Sequence, residues 1–325
     1  MTAPEATDSA SATPDRAAVF DFIRRFGVVI LLVILFIALT LGSDAFLSTR
    51  NLLNILNQNA PLAIIAMAGT LVIVAGGFDL STGGIFAVAS VSAAWIGANV
   101  DPVLGLVVAP FIGLGLGLIN GFIVTGLKVH SFLATLATSL VYRGLAVLIT
   151  GGSLISLTNV SSFFRLGRGQ IFDINYSVFI MIGVFVILTL LLNRSVPGRG
   201  VFAVGGNVEA AVLSGVRTAR IQVLTFALSG LAAGTAGAIT VSRIATGSPQ
   251  AGTGIELLAI AAVILGGTSI YGGEGAVWRS LAGVMLLALI TNGFNILNAN
   301  PFYRELTTGL IIVLAVALSA GRSGR

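Results

Sequence analysis

The chain has 325 residues, of which 56% are hydrophobic and only 9% charged, with a formal net charge of +5. A soluble domain carries about 25% charged residues, so a soluble fold of this composition has almost nothing with which to cover its surface. No charge falls between Arg50 and Asp79, Asp79 and Asp101, Asp101 and Lys128, Asp173 and Arg194, Arg220 and Arg243, or Arg279 and Arg304, and each gap holds the roughly 20 residues that cross a bilayer as a helix.

In chain order, the first 20 residues are rich in Ala, Ser, Thr and Pro and read as a disordered tail. With Arg24 and Arg25 they form a segment, 1–25, ahead of an apolar domain at 26–321. The run 26–41 follows a basic pair as a signal-peptide core would, but no convincing small-residue cleavage site comes after it, so it reads as a retained helix. Charge gaps and Gly/Pro punctuation predict helices near 26–42, 60–76, 80–98, 103–126, 131–150, 176–193, 220–241, 255–271, 278–297 and 303–320. The expected fold is an all-α, polytopic membrane bundle of about ten transmembrane helices. The 41 glycines and the lack of polar alternation argue against a membrane β-barrel.

With the N-terminus inside, eleven of the 17 Lys and Arg residues fall on the cytoplasmic side, among them Lys128, Arg194, Arg199, Arg217 and Arg220. Five fall opposite (Arg50, Arg165, Arg168, Arg243 and Arg304), and Arg143 lies inside a helix. A basic excess marks the cytoplasmic side, which puts both termini there, with 194–219 the largest inner loop and 151–175 the largest outer one. The basic residues form no patch with interleaved aromatics, so a nucleic-acid partner is not expected. The absence of cysteine removes disulfides, thiolate nucleophiles and cysteine metal sites. Neither a cofactor nor a bound metal is expected, and no set of nucleophile, base and acid suggests a catalytic centre.

Three glycine-rich constellations stand out. Gly76-Gly77-Phe78-Asp79-Leu80-Ser81-Thr82-Gly83-Gly84 sits between two apolar segments, where Asp79 or Ser81 can cap the next helix. It is either a turn at the cytoplasmic surface or a broken helix lining a transport path, because irregular backbone survives at membrane depth only against protein or a water-filled cavity. The inner loop Arg194-Ser195-Val196-Pro197-Gly198-Arg199-Gly200 leads to Val204-Gly205-Gly206-Asn207-Val208-Glu209-Ala210-Ala211-Val212-Leu213-Ser214-Gly215, either a solvated loop or a docking element with a short helix ending at Gly215. The third, Glu256 to Gly275, is an apolar helix running into Gly266-Gly267-Thr268-Ser269 and Gly272-Gly273-Glu274-Gly275. None is a phosphate-binding loop: Gly121 to Lys128 comes nearest and has Leu127 where the lysine belongs.

Other residues read more simply. Gly113, Gly117 and Gly121, and likewise Gly230 and Gly234, recur at four-residue spacing and predict close helix packing. Arg143 and Glu256 are ionisable groups in apolar runs, which raises a functional reading, although Arg143 can equally snorkel to the outer interface. His130, beside Lys128, is expected at a membrane interface. Asn51, Asn54 and Asn57, followed by Gln58, Asn59 and Pro61, are echoed by Asn292, Asn295 and Asn298 with Asn300 and Pro301. Transporters are often built from repeats, but the positions of these two segments do not fit a half-and-half repeat.

The segment 76–81 resembles the glycine-glycine-x-aspartate-leucine-serine signature of the permease subunits of bacterial ABC importers for ribose, xylose, galactose and related monosaccharides. Tyr142-Arg143-Gly144-Leu145-Ala146, Gly205-Gly206-Asn207, Ala210-Ala211, Leu213-Ser214-Gly215 and Ile264-Leu265-Gly266-Gly267-Thr268-Ser269 match the family in order, over roughly 50–320. Phe78 stands where a smaller aliphatic residue is usual, and Trp278-Arg279 where small residues are. The resemblance implies a homodimeric permease in the bacterial inner membrane that receives sugar from an extracytoplasmic binding protein and rests on a separate cytoplasmic ATPase. It implies ATPase coupling through Gly206, Asn207, Glu209, Ala210, Ala211, Ser214 and Gly215.

A monosaccharide is neutral and covered with hydroxyls, so its route needs hydrogen-bonding groups without fixed charge. Asn offers donors and acceptors together, and the two Asn series form polar stripes if helical. Asn57, Gln58, Asn292 and Asn295, with Asp79 and Ser81, are the candidate substrate path, unless the stripes are caps and interhelical hydrogen bonds. The competing readings are an ion-coupled secondary transporter of a small polar solute and, further off, a membrane-embedded enzyme.

Overall fold

The computed structural model describes residues 16–157, 160–300 and seven positions between 302 and 313, with the backbone alone for 16–26. Residues 1–15 and most of the last expected helix, 303–320, lie outside the described residues. The first helix, α1 (Arg16–Gly42), begins ten residues ahead of the apolar run, inside the segment read as tail.

Helix α2 (Thr49–Val74) also starts earlier than the expected residue 60, because Ser48 caps it by accepting the Asn51 N–H at 3.3 Å. Pro61 does not end it. Proline lacks the N–H that the Asn57 carbonyl would receive, and the Arg243 guanidinium takes that carbonyl instead at 3.0 Å. Helix α3 (Thr82–Asn99) is joined to α4 (Pro102–Gly126) by Asp101, whose carboxylate accepts the N–H groups of Val103 and Leu104 at 2.9 and 2.7 Å. His130 caps α5 (Ser131–Thr150), its Nδ1 accepting the Phe132 N–H at 3.3 Å.

The segment after α5 carries β1 (Ile155–Ser156), a 3-10 turn at 161–164, the single turn α6 (Arg165–Arg168), and the hairpin of β2 (Gln170–Ile171) and β3 (Ile174–Asn175). Then follow α7 (Tyr176–Arg194), α8 (Val196–Gly206), α9 (Val208–Leu213) and α10 (Thr218–Ile244). Strand β4 (Thr246–Gly247) pairs antiparallel with β1, Ile155 opposite Gly247. Helices α11 (Ile255–Leu265) and α12 (Val277–Ile296) complete the described fold. The strands gather at one end of the bundle and α8 and α9 at the other, with α10 running between them.

Among the described residues, twelve α-helices are present, of which α2, α4, α5, α7, α10 and α12 are long and apolar enough to cross a membrane. The stretch 27–42 of α1 and the whole of α11 are shorter apolar helices. The bundle is all-α in its spanning part, and among the described residues six helices, not the expected ten, meet that length and composition. Helix α11 stops at Leu265, at the glycine pair 266–267, rather than near 271.

Helix α2 is the axis of the bundle: its second half, from Ala60 to Val74, is almost entirely buried among α7, α10, α11 and α12. The longest contact is the antiparallel crossing of α4 and α10. Their backbones touch because a Cβ on Gly113 would strike the Gly230 carbonyl, one on Gly117 the Phe226 carbonyl, and one on Gly234 the Ala109 carbonyl at 2.6 Å. The four-residue glycine spacing is thus a packing device that lets helices approach where no side chain fits.

Candidate functional site

The three glycine-rich constellations meet at one place, at the α8–α9 end. The Gly273 N–H donates to the Val74 carbonyl at 2.9 Å. A Cβ on Gly205 would collide with that same carbonyl and lie 2.6 Å from the Gly273 nitrogen. Gly272 lies against Gly76 and Gly205, a Cβ there reaching the Gly76 Cα at 3.0 Å. Gly76 itself has φ 82°, a left-handed conformation that glycine adopts without cost. The end of α2, the end of α8 and the turn between α11 and α12 therefore form one backbone-to-backbone junction.

Beyond Gly76 the chain does not stay at the surface. It turns back and climbs alongside α5 in non-helical form: the Phe78 N–H donates to Ser131 Oγ and the Leu80 N–H to Thr135 Oγ1, both at 3.0 Å. Gly84 then packs on the Ser139 carbonyl. Eight residues of α5 correspond to about 12 Å of helix, so α3 begins well inside the bundle. Asp79 is 5% exposed and Ser81 fully buried, which overturns the reading of this segment as a surface turn. Ser81 holds the N-cap position of α3 but makes no side-chain cap bond, and Asp79 turns to other partners.

Those partners form a chain of donors that ends on a carboxylate. The Tyr142 hydroxyl donates to Asn120 Oδ1 at 2.9 Å, Asn120 Nδ2 to Ser81 Oγ at 2.6 Å, and Ser81 Oγ to Asp79 Oδ1 at 2.5 Å. The Ser81 N–H also reaches Oδ1, at 3.0 Å, and the Ser229 hydroxyl donates to Oδ2 at 2.7 Å. Buried polar groups are tolerated when every donor has an acceptor. The network draws together the broken start of α3 with α4, α5 and α10. Asn120 and Ser229 went unnoticed in the sequence, although a polar side chain inside an apolar helix is the signal that finds them.

A second interruption comes from the opposite end. After α10 the chain descends along α3 in non-helical form: Gly247 lies against Val91 and Ala94, Gly252 against Phe86, and the Glu256 carboxylate beside Gly83. Eleven residues of α3 make this descent about 16 Å. Helix α11 therefore also starts inside the bundle, with Glu256 in its first turn. Arg143 of α5 meets this start, bonded to Thr253 Oγ1 at 3.1 Å, to the Gly252 carbonyl at 3.4 Å and paired with Glu256 at 3.5 Å. Arg143 is thus held by the second interruption.

Between the two helix starts lies a chamber of ≈ 10 Å³ bounded by Asp79, Thr82, Ser229 and Glu256, about the room of one water molecule. Thr82 Oγ1 and Glu256 Oε2, both buried, have no protein partner. A cavity of ≈ 630 Å³ opens at the α8–α9 end below the first interruption, bordered by Gly77, Lys128, Ser131, Val208, Gln222 and Thr225. Volumes of this order accommodate small-molecule ligands.

Helix α9 stands out from the bundle at that same end. Asn207 caps it by accepting the Ala210 N–H at 2.9 Å. Gly215, with φ 79°, ends it in a paired turn in which its own N–H reaches the Val212 carbonyl and that of Val216 the Ala211 carbonyl, a closure suited to glycine. Gly206, Asn207, Glu209, Ala210, Ser214 and Gly215 are exposed, and Ala211 is buried. Sequence reading passed over Val208, Val212 and Leu213, which are apolar and exposed, Leu213 to 89%.

The asparagine series lies at the strand end, apart from Asp79 and Ser81. Asn51 and Asn292 bond each other, Asn57 Oδ1 accepts the Ser177 hydroxyl at 2.5 Å, and Gln58 and Asn295 are exposed. The six candidate path residues therefore fall into two groups.

Residues 51–316 match the family described as the permease component of the branched-chain amino acid transport system. The chain belongs to this family of permeases. The permease is 40% identical over 302 residues to the ribose import permease protein RbsC of Bacillus subtilis (strain 168), covering 92% of this chain and 94% of that one. RbsC of Escherichia coli (strain K12) is 38% identical over 293 residues, 89% and 91% of the two chains. The L-arabinose ABC transporter permease protein AraH of Azospirillum brasilense is 35% identical over 316 residues, 97% and 93%. No solved structure gives a significant match to the permease.

Proposed function

We propose that the permease is the membrane subunit of an ATP-driven ABC importer that carries a monosaccharide, a pentose or a hexose, into the cytoplasm. The observation that carries this reading is the similarity, over nine-tenths of the chain, to permeases named for ribose. The arabinose permease relative supports the same class of solute. The permease hydrolyses no ATP itself, since its sequence has no phosphate-binding loop, and a separate ATPase supplies the energy. In this reading the α8–α9 end and both termini face the cytoplasm, as the basic excess supports, and the strand end faces an extracytoplasmic sugar-binding protein. A second copy of the chain completes the transporter.

The ATPase docks on α9 and its flanks, through Gly206, Asn207, Glu209, Ala210, Ala211, Ser214 and Gly215. A short, capped helix that presents apolar side chains to solvent beside basic residues suits a protein partner. The glycine junction then links docking to the first interruption and to α11, because α8 touches the end of α2 and the turn after α11. Asp79 and Ser81 border the inner part of the sugar route, and Gln58, Asn57, Asn292 and Asn295 its outer mouth.

The test is uptake of labelled pentoses and hexoses by cells with and without the permease, its ATPase and its binding protein. The expected result is saturable uptake that needs all three and survives collapse of the proton and sodium gradients while ATP is maintained. Uptake by this chain alone, abolished by an ionophore, would establish the secondary transporter instead.

A further inference from the structure

We propose that Arg143, Thr253 and Glu256 form a sugar-contacting site on the flank where α5 and α11 begin to part, a proposal that rests on the reading of the chain as a monosaccharide permease. Between Gly247 and Glu256 the chain descends about 16 Å along α3 through turns rather than a continuous helix until α11 begins, and Gln250 and Thr253 on that stretch are exposed. Irregular backbone and polar side chains at membrane depth are stable only against protein or in a water-filled cavity. This flank therefore does not face lipid.

The charges point the same way. Arg143 and Glu256 are partly open, their side chains 23% and 15% exposed, and ionisable groups in a membrane bundle face its interior or an aqueous path. Helix α5 packs mainly on α3 and α4, and its side that carries Arg143 toward Thr253 and Glu256 is partly open. A clamp between two helices does not require full charges, because replacing a buried ion pair by apolar groups is often neutral for stability.

The geometry suits a polyol. Arg143 uses Nη1 for the Thr253 hydroxyl and Nη2 for Glu256 Oε1 and the Gly252 carbonyl. This puts a planar guanidinium, a carboxylate and a hydroxyl side by side at the open edge. Guanidinium donors and carboxylate acceptors can engage adjacent sugar hydroxyls by charge-assisted hydrogen bonds. Behind them, α3 yields its side-chain space: a Cβ on Gly83 would collide with Glu256 Oε2 and lie 2.8 Å from both Arg143 Nη2 and the Gly252 carbonyl. Thr82 is only 3% exposed, and its Oγ1 lacks a partner at the edge of the chamber that Glu256 also borders. The polar surface thus continues inward from the ion pair.

The permease contains no cysteine, so Thr253→Cys gives this chain a single reactive thiol, and labelling is read on the permease band alone. In intact cells that carry the full complex, a small water-soluble maleimide is expected to label Cys at this position. The transported sugar at saturation slows that labelling about fivefold or more, while a sugar that is not transported leaves it unchanged. Lack of labelling, or labelling indifferent to the sugar, overturns the proposal. In parallel, Glu256→Gln should raise the KM for uptake about tenfold or more at equal membrane abundance, as expected where a site built to bind hydroxyls loses a partner. The exchanged pair Arg143→Glu with Glu256→Arg should not recover it. Recovery in the exchanged pair identifies a helix clamp and overturns the proposal. Absence of monosaccharide uptake by the wild-type transporter defeats the functional reading itself.

Discussion

Asn51 and Asn292 hold each other by reciprocal amide bonds, Asn292 Nδ2 to Asn51 Oδ1 at 2.8 Å and Asn51 Nδ2 to Asn292 Oδ1 at 3.3 Å. The Asn51 amide also reaches the Phe46 carbonyl at 2.9 Å. The leading asparagines of two similar stretches, near the start of α2 and the end of α12, thus join those helices, as interhelical amides do in membranes. Asn51→Leu and Asn292→Leu should each destabilise the permease by about 1 kcal/mol, with strong coupling in the double variant. Thermal unfolding in detergent measures this. Asn295 is exposed and free of that scaffold, so Asn295→Leu tests the outer mouth of the sugar route: slower uptake at unchanged stability is expected, and unchanged uptake kinetics remove Asn295 from the route.

Asp79 accepts three hydrogen bonds inside the bundle. Asp79→Leu leaves the Ser81 N–H, the Ser81 hydroxyl and the Ser229 hydroxyl without their acceptor, and each orphaned buried group costs about 1–3 kcal/mol. Loss of folded protein from the membrane is the expected outcome. Asp79→Asn keeps an acceptor toward Ser81, and the Ser229 hydroxyl can reverse to accept from the new amide, so this variant should insert and assemble. Comparing the membrane abundance of the two variants with wild type checks the assignment. Equal abundance of Asp79→Leu would mean the network does not hold the broken start of α3.

How much of this was legible in sequence depended on how local each cause is. The spans of α4, α5 and α7 were readable because charge gaps and glycine or proline punctuation are local signals. The start of α2 was not, because Pro61 suggests a boundary and it is Arg243, 186 residues beyond Asn57 in the chain, that takes up the Asn57 carbonyl that proline leaves. The break at 76–84 was visible as composition, but its depth was not: that depends on Ser131 and Thr135 receiving extended backbone, and on Asn120 and Ser229 arriving from other helices. The descent to Glu256 was hidden for the same reason, since Gly247 and Gly252 look like turn residues until α3 is packed against them. The docking residues rest on family resemblance, which points to Glu209 and Gly215 as coupling residues, whereas the exposure of Val212 and Leu213 is a property of the folded α9.

Gly205 touches the carbonyl end of α2 and the turn after α11 with no space for a side chain. Gly205→Val should therefore separate α8 from the end of α2 and from the turn after α11 while leaving α9 exposed. The expected phenotype is normal co-purification of the ATPase with uptake reduced at least about tenfold, because docking persists and its transmission fails. A variant with both properties normal would show that the junction yields without consequence.

The docking surface itself is tested by side chains that differ in how they serve α9. Leu213, at 89% exposure, has no role in the fold of the isolated chain, so Leu213→Ser should leave insertion and thermal stability unchanged. If it seats in the ATPase, the loss of one apolar anchor weakens association by about 1–2 kcal/mol, roughly tenfold in affinity. Glu209→Arg reverses the charge in the first turn of α9, which opposes the helix dipole as well as any basic partner. Gly215→Trp forces a bulky residue into a left-handed turn and should disturb the end of α9 most. The predicted order of ATPase retention is wild type, then Leu213→Ser and Glu209→Arg, then Gly215→Trp, with uptake falling in parallel. Quantitative pull-down of the ATPase with each purified permease, together with sugar uptake at matched abundance, decides it. Full retention in all three variants would assign α9 to solvent and require the ATPase to dock elsewhere.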